Sequence, residues 1–244
     1  MLETAARAGL PCAAISATRL PPGFDIVHAH DARSHTLGAL LARVPLIVSR
    51  RVAFPIKTSI LSRWKYGRPA RFLAVSRFVA AELTRAGVAA ERIRIVYDGV
   101  PVPAEAAQGD SILVPYTLDP GKGMDLAERA AARAGVTLKR STDLEADLPG
   151  ARALVYLSKS EGLGSGILLA MAHGVTVIAS NTGGIPELIQ DGSNGILAEN
   201  TEEAVAAAFE RIDPAFGRAA RQSVMERFTE KHMVEATLEA YRSC

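Results

Sequence analysis

Apolar residues fall along this chain in short unbroken runs, and between the runs they recur three or four positions apart. The runs at Cys12–Ser16, Ile26–His28, Leu46–Ser49 and Leu73–Val75, and Ile93–Tyr97 with Arg94 inside it, predict short apolar strands of a parallel sheet. The helical stretches between them include Arg77–Arg85, with Ser76 as its N-cap and Gly87 as its stop. Gly99 to Asp110, rich in Pro, Ala and Gly, carries neither period. A second alternating set follows, with strands at Ile112–Val114, Val136–Lys139, Ala153–Leu157 and Val175–Ala179 and a helical tail beyond Thr201. The pattern predicts an α/β chain with two parallel sheets: residues 1–100 as the first unit, 101–110 as a linker and 111–244 as the second.

Composition narrows the class. With 244 residues, 48% of them hydrophobic, the chain can bury one large core or two small ones. No apolar run approaches the roughly 20 residues that span a bilayer, and Met1-Leu-Glu-Thr-Ala-Ala-Arg lacks a signal-peptide core. Cys12 and Cys244 sit at opposite ends without metal-ligand spacing, which points to a reducing, cytoplasmic setting.

Charge changes the picture more. From Ala32 to Ala81 there is no Asp or Glu, while ten Arg and Lys residues occur there, so with a net +2 overall the remainder carries −8. Arg50, Arg51, Arg63 and Lys65 belong to this set, and Trp64 and Tyr66 stand among them in Ser62-Arg-Trp-Lys-Tyr-Gly-Arg68. Cations mixed with aromatic rings suit an anionic membrane surface at the inner face of the cell membrane. Binding of single-stranded nucleic acid is disfavoured, since no recognisable motif accompanies the basic residues. A solvated basic face is the plain alternative.

Candidate chemistry concentrates between Ser158 and Glu187. Ser158-Lys-Ser-Glu161 has capping-box spacing, and Gly162, Gly164 and Gly166 leave backbone N–H groups uncovered where an apolar helix, Ile167–Ala172, begins. A helix start without side chains attracts anions, because unpaired N–H groups and the positive end of the dipole point the same way. Gly174 ends that helix, Val175–Ile178 reads as a strand, and Thr182-Gly-Gly-Ile-Pro-Glu187 repeats the glycine loop with Pro186 at a first helical position. Two such loops at the carboxyl ends of strands frame a crevice.

The run resembles the donor-site signature of the retaining GT-B glycosyltransferases of family 4, in which Glu-Gly-Phe-Gly and a second glutamate precede Gly-Gly-x-Pro-Glu. Phe24-Asp-Ile-Val-His-Ala-His-Asp31, Phe72-Leu-Ala-Val-Ser76, Ile93-Arg-Ile-Val-Tyr-Asp-Gly-Val100 and Leu118-Asp-Pro-Gly-Lys-Gly123 are similar to further motifs of that family. The resemblance implies two Rossmann-like domains and a terminal helix, with Arg227-Phe228 and Tyr241, that crosses back. It implies His30 beside the acceptor, Glu161 touching hydroxyls of the donor sugar and Lys122 near the diphosphate. Gly162, Leu163, Gly164, Ser165, Gly166, Leu169, Gly183, Gly184 and Glu187 would complete the donor site. Strand alternation places His28 and His30 on one face, with His28 read as a core histidine. Neither metal nor cofactor is implied, and the sequence has no Asp-x-Asp motif.

Departures from the family are equally specific. The chain opens at a segment resembling the family's second or third unit, so the first domain reads as truncated, and one strand–helix unit is missing between Lys122 and Glu161. Thr117 stands where an arginine normally precedes the Lys-Gly loop, and Leu169 replaces the ribose-binding glutamate. The expectation is transfer of a sugar from a nucleotide-diphosphate sugar to a hydroxyl acceptor, a lipid-linked or cell-envelope glycan among the candidates. The alternatives are an impaired glycosyltransferase-like partner or pseudoenzyme, whose incomplete sheet edge could pair with another chain, and a nucleotide-sugar epimerase of the same fold.

Overall fold

The computed structural model describes residue 20, residues 23–57 and residues 59–244, so the strand expected at Cys12–Ser16 lies outside the described residues. The apolar runs form two all-parallel sheets. In the first, β1 (Val27–Ala29), β2 (Leu46–Arg50), β3 (Arg71–Ala74) and β4 (Ile93–Ile95) lie in sequential order, with Val48 opposite Phe72. In the second, β5 (Ser111–Pro115), β6 (Lys139–Ser141), β7 (Ala151–Tyr156), β8 (Thr176–Ser180) and β9 (Ile196–Ala198) take the order β6-β5-β7-β8-β9. The chain therefore leaves β5 in one direction for β6 and returns on its other side as β7. That reversal is where open parallel sheets leave a crevice at their carboxyl ends.

Helices cover both sheets. The first half carries α1 (Ala32–Leu41), α2 (Ile60–Gly67) and α3 (Arg77–Arg85), capped by Asp31, Ser59 and Ser76. For α3 the sequence reading holds at both ends: the Ser76 hydroxyl accepts from the Val79 N–H at 3.1 Å, and Gly87 follows at φ +88°. The second half carries α4 (Met124–Ala134), α5 (Leu144–Asp147), α6 (Ser165–Ala172), α7 (Glu202–Phe209), α8 (Pro214–Arg227) and α9 (Glu230–Arg242). α4 packs beside α7, and α6 beside α8.

Two strand expectations need correction. The strand read at Val136–Lys139 forms instead at Lys139–Ser141, because Gly135 takes φ +67° and the Val136 N–H closes α4 on the Ala131 carbonyl at 2.8 Å. The strand β9 gave no recognised sign; its three residues pair with Ile178–Ser180 on the outer edge of the sheet.

One apolar cluster runs through both halves, joining Phe72, Val75 and Val79 to Leu163, Ile167 and Ile185. Phe72 is wholly buried, and truncating it to Ala would cost about 3–5 kcal/mol. A second cluster lies under α4 and α7. α9 then returns to the first sheet, where Ala240 packs with Ile47, Leu73 and Val96. It is led there by a close pairing in which the Val100 N–H donates to the Phe228 carbonyl at 3.0 Å. A Cβ on Gly99 would stand 2.4 Å from the Thr229 carbonyl oxygen, so only glycine fits.

Candidate functional site

After β5 the chain turns through Asp119, whose carboxylate accepts from the Gly121 N–H at 2.8 Å. Gly123 takes φ +63° to start α4, and a Cβ there would lie 2.6 Å from that of Leu157, so the loop presses against the end of β7. The Lys159 N–H donates to the Gly121 carbonyl at 2.8 Å and joins the two loops. Between them opens a crevice of about 480 Å³, bordered by Thr117, Asp119, Arg129, Ser158, Lys159 and Asn200. It lies at the reversal of strand order.

Beside that crevice three side chains from two loops and a strand end meet. The Lys122 ammonium is 2.7 Å from Glu161 Oε2, and the Tyr156 hydroxyl donates to the same oxygen at 3.1 Å. The other oxygen, Oε1, accepts from the Gly162 N–H at 3.1 Å. Burial, and then the carboxylate, push the Tyr156 hydroxyl well above the usual phenol range, so it remains a proton donor. The structure thus brings Lys122 and Glu161 into direct contact. Tyr156 was missed: in Ala153-Leu-Val-Tyr156 it reads only as the end of an apolar strand.

The capping-box reading of Ser158–Glu161 is overturned. α6 starts four residues beyond Glu161, with Gly164 at φ +109° as an N-cap that supplies no side chain, and the Ser158 hydroxyl instead donates to the Ser160 carbonyl at 2.9 Å. Ser165, Gly166 and Ile167 therefore open α6 without a side-chain cap, leaving the first-turn N–H groups for solvent or a ligand. Leu163 is buried in the core, and Leu169, on the third turn position after Gly166, is half-buried against the same cluster.

The second glycine loop has a different use. Gly183, at φ +57°, and Gly184 lie flat against the first loop: Cβ atoms there would stand 2.1 Å from the carbonyl oxygens of Glu161 and Gly162. Glu187 faces the first half of the chain. Its carboxylate accepts from the Arg77 and Phe78 N–H groups at the start of α3, both at 2.9 Å, and from the Tyr97 hydroxyl at 2.9 Å. Ser76 adds a further link, donating to the Gly162 carbonyl at 2.6 Å.

On the other side of this seam stands His30. It is exposed at the end of β1 with its ring 4.0 Å from that of His28, which confirms that the two share a face. His28 is held by Tyr241 at 2.5 Å and Ser49 at 2.8 Å, and burial, with His30 nearby, lowers its pKa to about 4. Burial and the Arg51 charge lower that of His30 as well. A cavity of about 370 Å³ lies here, walled by His28, His30, Arg51 and Asp98 on the sheet side and by Met233 and Leu238 of α9. Arg51 pairs with Asp98 at 2.7 Å, and its carbonyl oxygen lies where a Cβ on Gly162 would come within 2.3 Å. One residue thus lines the His30 cavity and backs the Glu161 loop.

Much of the basic segment is spent internally. Arg50 donates to the Tyr66 hydroxyl at 3.0 Å and to the Phe54 carbonyl, and Lys65 to the Ala32 carbonyl at 3.0 Å and the Thr36 hydroxyl at 2.8 Å. Arg63 and Trp64 remain exposed on α2.

Two family profiles match in tandem: "Glycosyltransferase Family 4" over residues 8–102 and "Glycosyl transferases group 1" over residues 120–212. The chain belongs to the group 1, family 4 glycosyltransferases. Its fold is that of GT-B family members: the Anabaena HepE structure in complex with UDP and glucose superposes with a TM-score of 0.78 at 17% identity, covering 91% of this chain and 78% of that one. Sucrose-phosphate synthase from Thermosynechococcus elongatus superposes with a TM-score of 0.72 at 18% identity, covering 90% and 73%. In sequence, this glycosyltransferase-family chain is 39% identical over 108 residues to alpha-maltose-1-phosphate synthase of Mycolicibacterium smegmatis, a match over 39% of the chain and only 28% of that relative. It is 27% identical to D-inositol 3-phosphate glycosyltransferase 1 of Catenulispora acidiphila over 307 aligned residues, covering 92% of this chain and 73% of the relative. That alignment is longer than the 244-residue chain, so the relative carries internal segments that this member lacks.

Proposed function

We propose that the chain is a retaining glycosyltransferase that moves a sugar from a nucleotide-diphosphate sugar to a hydroxyl acceptor. The observation that carries this reading is the meeting of Lys122, Glu161 and Tyr156 beside an uncapped glycine-rich helix start, at the strand-order reversal. The diphosphate would lie against the N–H groups of Ser165 and Gly166, with Lys122 as the cation that balances its growing charge as the sugar leaves. Glu161, fixed by Tyr156 and Gly162, would orient a sugar hydroxyl. The acceptor oxygen would come from the His30 side and bond to the anomeric carbon on the face from which the phosphate oxygen departs. Its proton passes to that oxygen, so the reaction balances with neither a metal nor a protein nucleophile. Positioning and preorganised charge supply the acceleration. The solved HepE complexes with UDP and with UDP-glucose support a uridine diphosphate sugar as the first donor to try.

Leu169 favours a second reading, a chain that keeps the fold and has lost independent transfer, because the ribose has no carboxylate at that position. Thermal unfolding with a panel of nucleoside diphosphates separates the two, since a ligand that prefers the folded state raises its stability. A shift selective for one nucleotide, weakened in Glu161→Ala and enlarged in Leu169→Glu, supports the transferase. No shift at millimolar nucleotide rejects it.

A further inference from the structure

Glu161 meets two donors at one oxygen, and the two differ in their freedom to leave it. Oε2 receives both the Lys122 ammonium at 2.7 Å and the Tyr156 hydroxyl at 3.1 Å, while Oε1 accepts from the Gly162 N–H. The Lys122 side chain is 37% exposed, ends on a flexible stem and stands 6.0 Å over the Tyr156 ring. It can turn to a diphosphate without leaving the site, and the Glu161 side chain, only 15% exposed, then loses its cation. Tyr156 has no such freedom, because its ring is wedged against the start of α6. A Cβ on Gly166 would stand 2.9 Å from Tyr156 Cε2 and 3.3 Å from Leu144 Cδ1. Gly166 lies inside the helix without a positive φ, so it is the ring and not the course of the backbone that calls for glycine.

A carboxylate stripped of its cation needs a donor that stays in place. Burial and the carboxylate itself hold the Tyr156 hydroxyl above the usual phenol range, so it keeps its proton through the neutral range and goes on donating. With Oε1 on the Gly162 N–H and Oε2 on Tyr156, the carboxylate plane is fixed from both ends. Oε2 is fully used while Lys122 is present. Once Lys122 turns away, it has a lone pair free for a sugar hydroxyl.

We propose that Tyr156 is a positioning residue that holds Glu161 toward the donor sugar after Lys122 has left it for the diphosphate, and that Gly166 is glycine to admit the Tyr156 ring. This rests on the transferase reading and adds a rule of selection: the sugar finds Oε2 open only when a diphosphate has drawn Lys122 away, so the nucleotide sugar is recognised as a unit. The test is titration calorimetry of the full chain with UDP, ADP and GDP and with the glucose conjugate of each. Wild type should bind one such pair, and Glu161→Gln should lower the affinity for the conjugate relative to its diphosphate. Tyr156→Phe should lower that ratio about tenfold or more, as expected for a lost hydrogen bond to a charged group, and leave the affinity for the diphosphate as in wild type. Gly166→Ala, which displaces the ring and keeps the hydroxyl, should lower the ratio likewise, and the double variant should lose no more than the larger single loss. Lys122→Met should weaken diphosphate and conjugate together. Equal weakening of both ligands in Tyr156→Phe would make the tyrosine a packing residue, and full additivity of the two variants would remove the role of Gly166. A ratio that responds to Glu161→Gln and not to Tyr156→Phe would overturn the positioning role and leave the transferase reading intact. Wild type that binds none of the three pairs would overturn both.

Discussion

Glu187 offers the sharpest test, because its sequence reading as a donor ligand and its position in the structure lead to opposite results. Replacing it with Gln keeps the length of the side chain and removes the charge that the Arg77 and Phe78 N–H groups and the Tyr97 hydroxyl point at. A hydrogen bond to a charged group contributes about 1.5–3 kcal/mol. Three such bonds do not add in full, since the Gln oxygen still accepts and Glu187 is only half-buried, so water reaches the vacated positions. The loss should be about 2–3 kcal/mol, which for a chain of this size lowers Tm by about 4–12 °C. Calorimetry or circular dichroism reads that number, and titration calorimetry on the same protein reads nucleotide affinity. The variant should unfold earlier, and any loss of nucleotide affinity should be no larger in free energy than its loss of stability. Tyr97→Phe in a double-mutant cycle should show coupling of about 0.5–1.5 kcal/mol with Glu187→Gln. An unchanged Tm together with weakened nucleotide binding would refute the assignment of Glu187 to the seam between the halves.

Three further outcomes are expected. His28 and His35 both have pKa values lowered to about 4, chiefly by burial, against about 6.5 when exposed. The unfolded chain therefore takes up protons that the folded one refuses. Their contribution is complete above pH 6.5 and is lost as pH falls toward 4, with a slope of at most about 1.4 kcal/mol per pH unit for each histidine. Urea midpoints at pH 7 and pH 5 should show this, His35→Gln should flatten the dependence, and equal midpoints for wild type at both values would contradict it. Gly183→Ala puts a Cβ 2.1 Å from the Glu161 carbonyl oxygen at φ +57°, and should cost about 3 kcal/mol or more, seen as a collapse in soluble yield or Tm. Leu169→Glu should tighten binding of the preferred nucleoside diphosphate by about one to two decades, the worth of a charge-assisted pair of about 1.5–3 kcal/mol, with equal affinity in the variant as the contrary result.

What the sequence disclosed follows how local the determinant is. Strands buried on both faces announce themselves as apolar runs, and the Ser76 cap and Gly87 stop of α3 are each set within one turn of backbone. Lys122 and Glu161 were legible because glycines beside them mark loops where backbone is bare. Tyr156 was not, since nothing in a strand-ending tyrosine says that a carboxylate from the next loop will fold over its hydroxyl. The 158–161 spacing misled for a physical reason: a cap works only where the helix begins, and Gly162, pressed against the Arg51 carbonyl, and Gly164, at φ +109°, put that beginning at Ser165. Similarly, ten positive charges in sequence say nothing of how many are bound to carbonyls. Arg68 donates to the Ala39 carbonyl and Lys65 to that of Ala32, uses that depend on how α1 and α2 lie over the sheet.

The peptide unit at Gly162 is held from three directions: by Glu161 through its N–H, by Ser76 through its carbonyl, and by the Arg51 backbone where a side chain would be. A molecule that rearranges Glu161 must therefore disturb the joint between the halves, and a force that parts the halves must disturb Glu161. Linkage makes such an effect reciprocal in free energy. If the nucleotide favours the closed arrangement by a given factor, closure tightens the nucleotide by the same factor, so product release and opening of the chain become a single thermodynamic event.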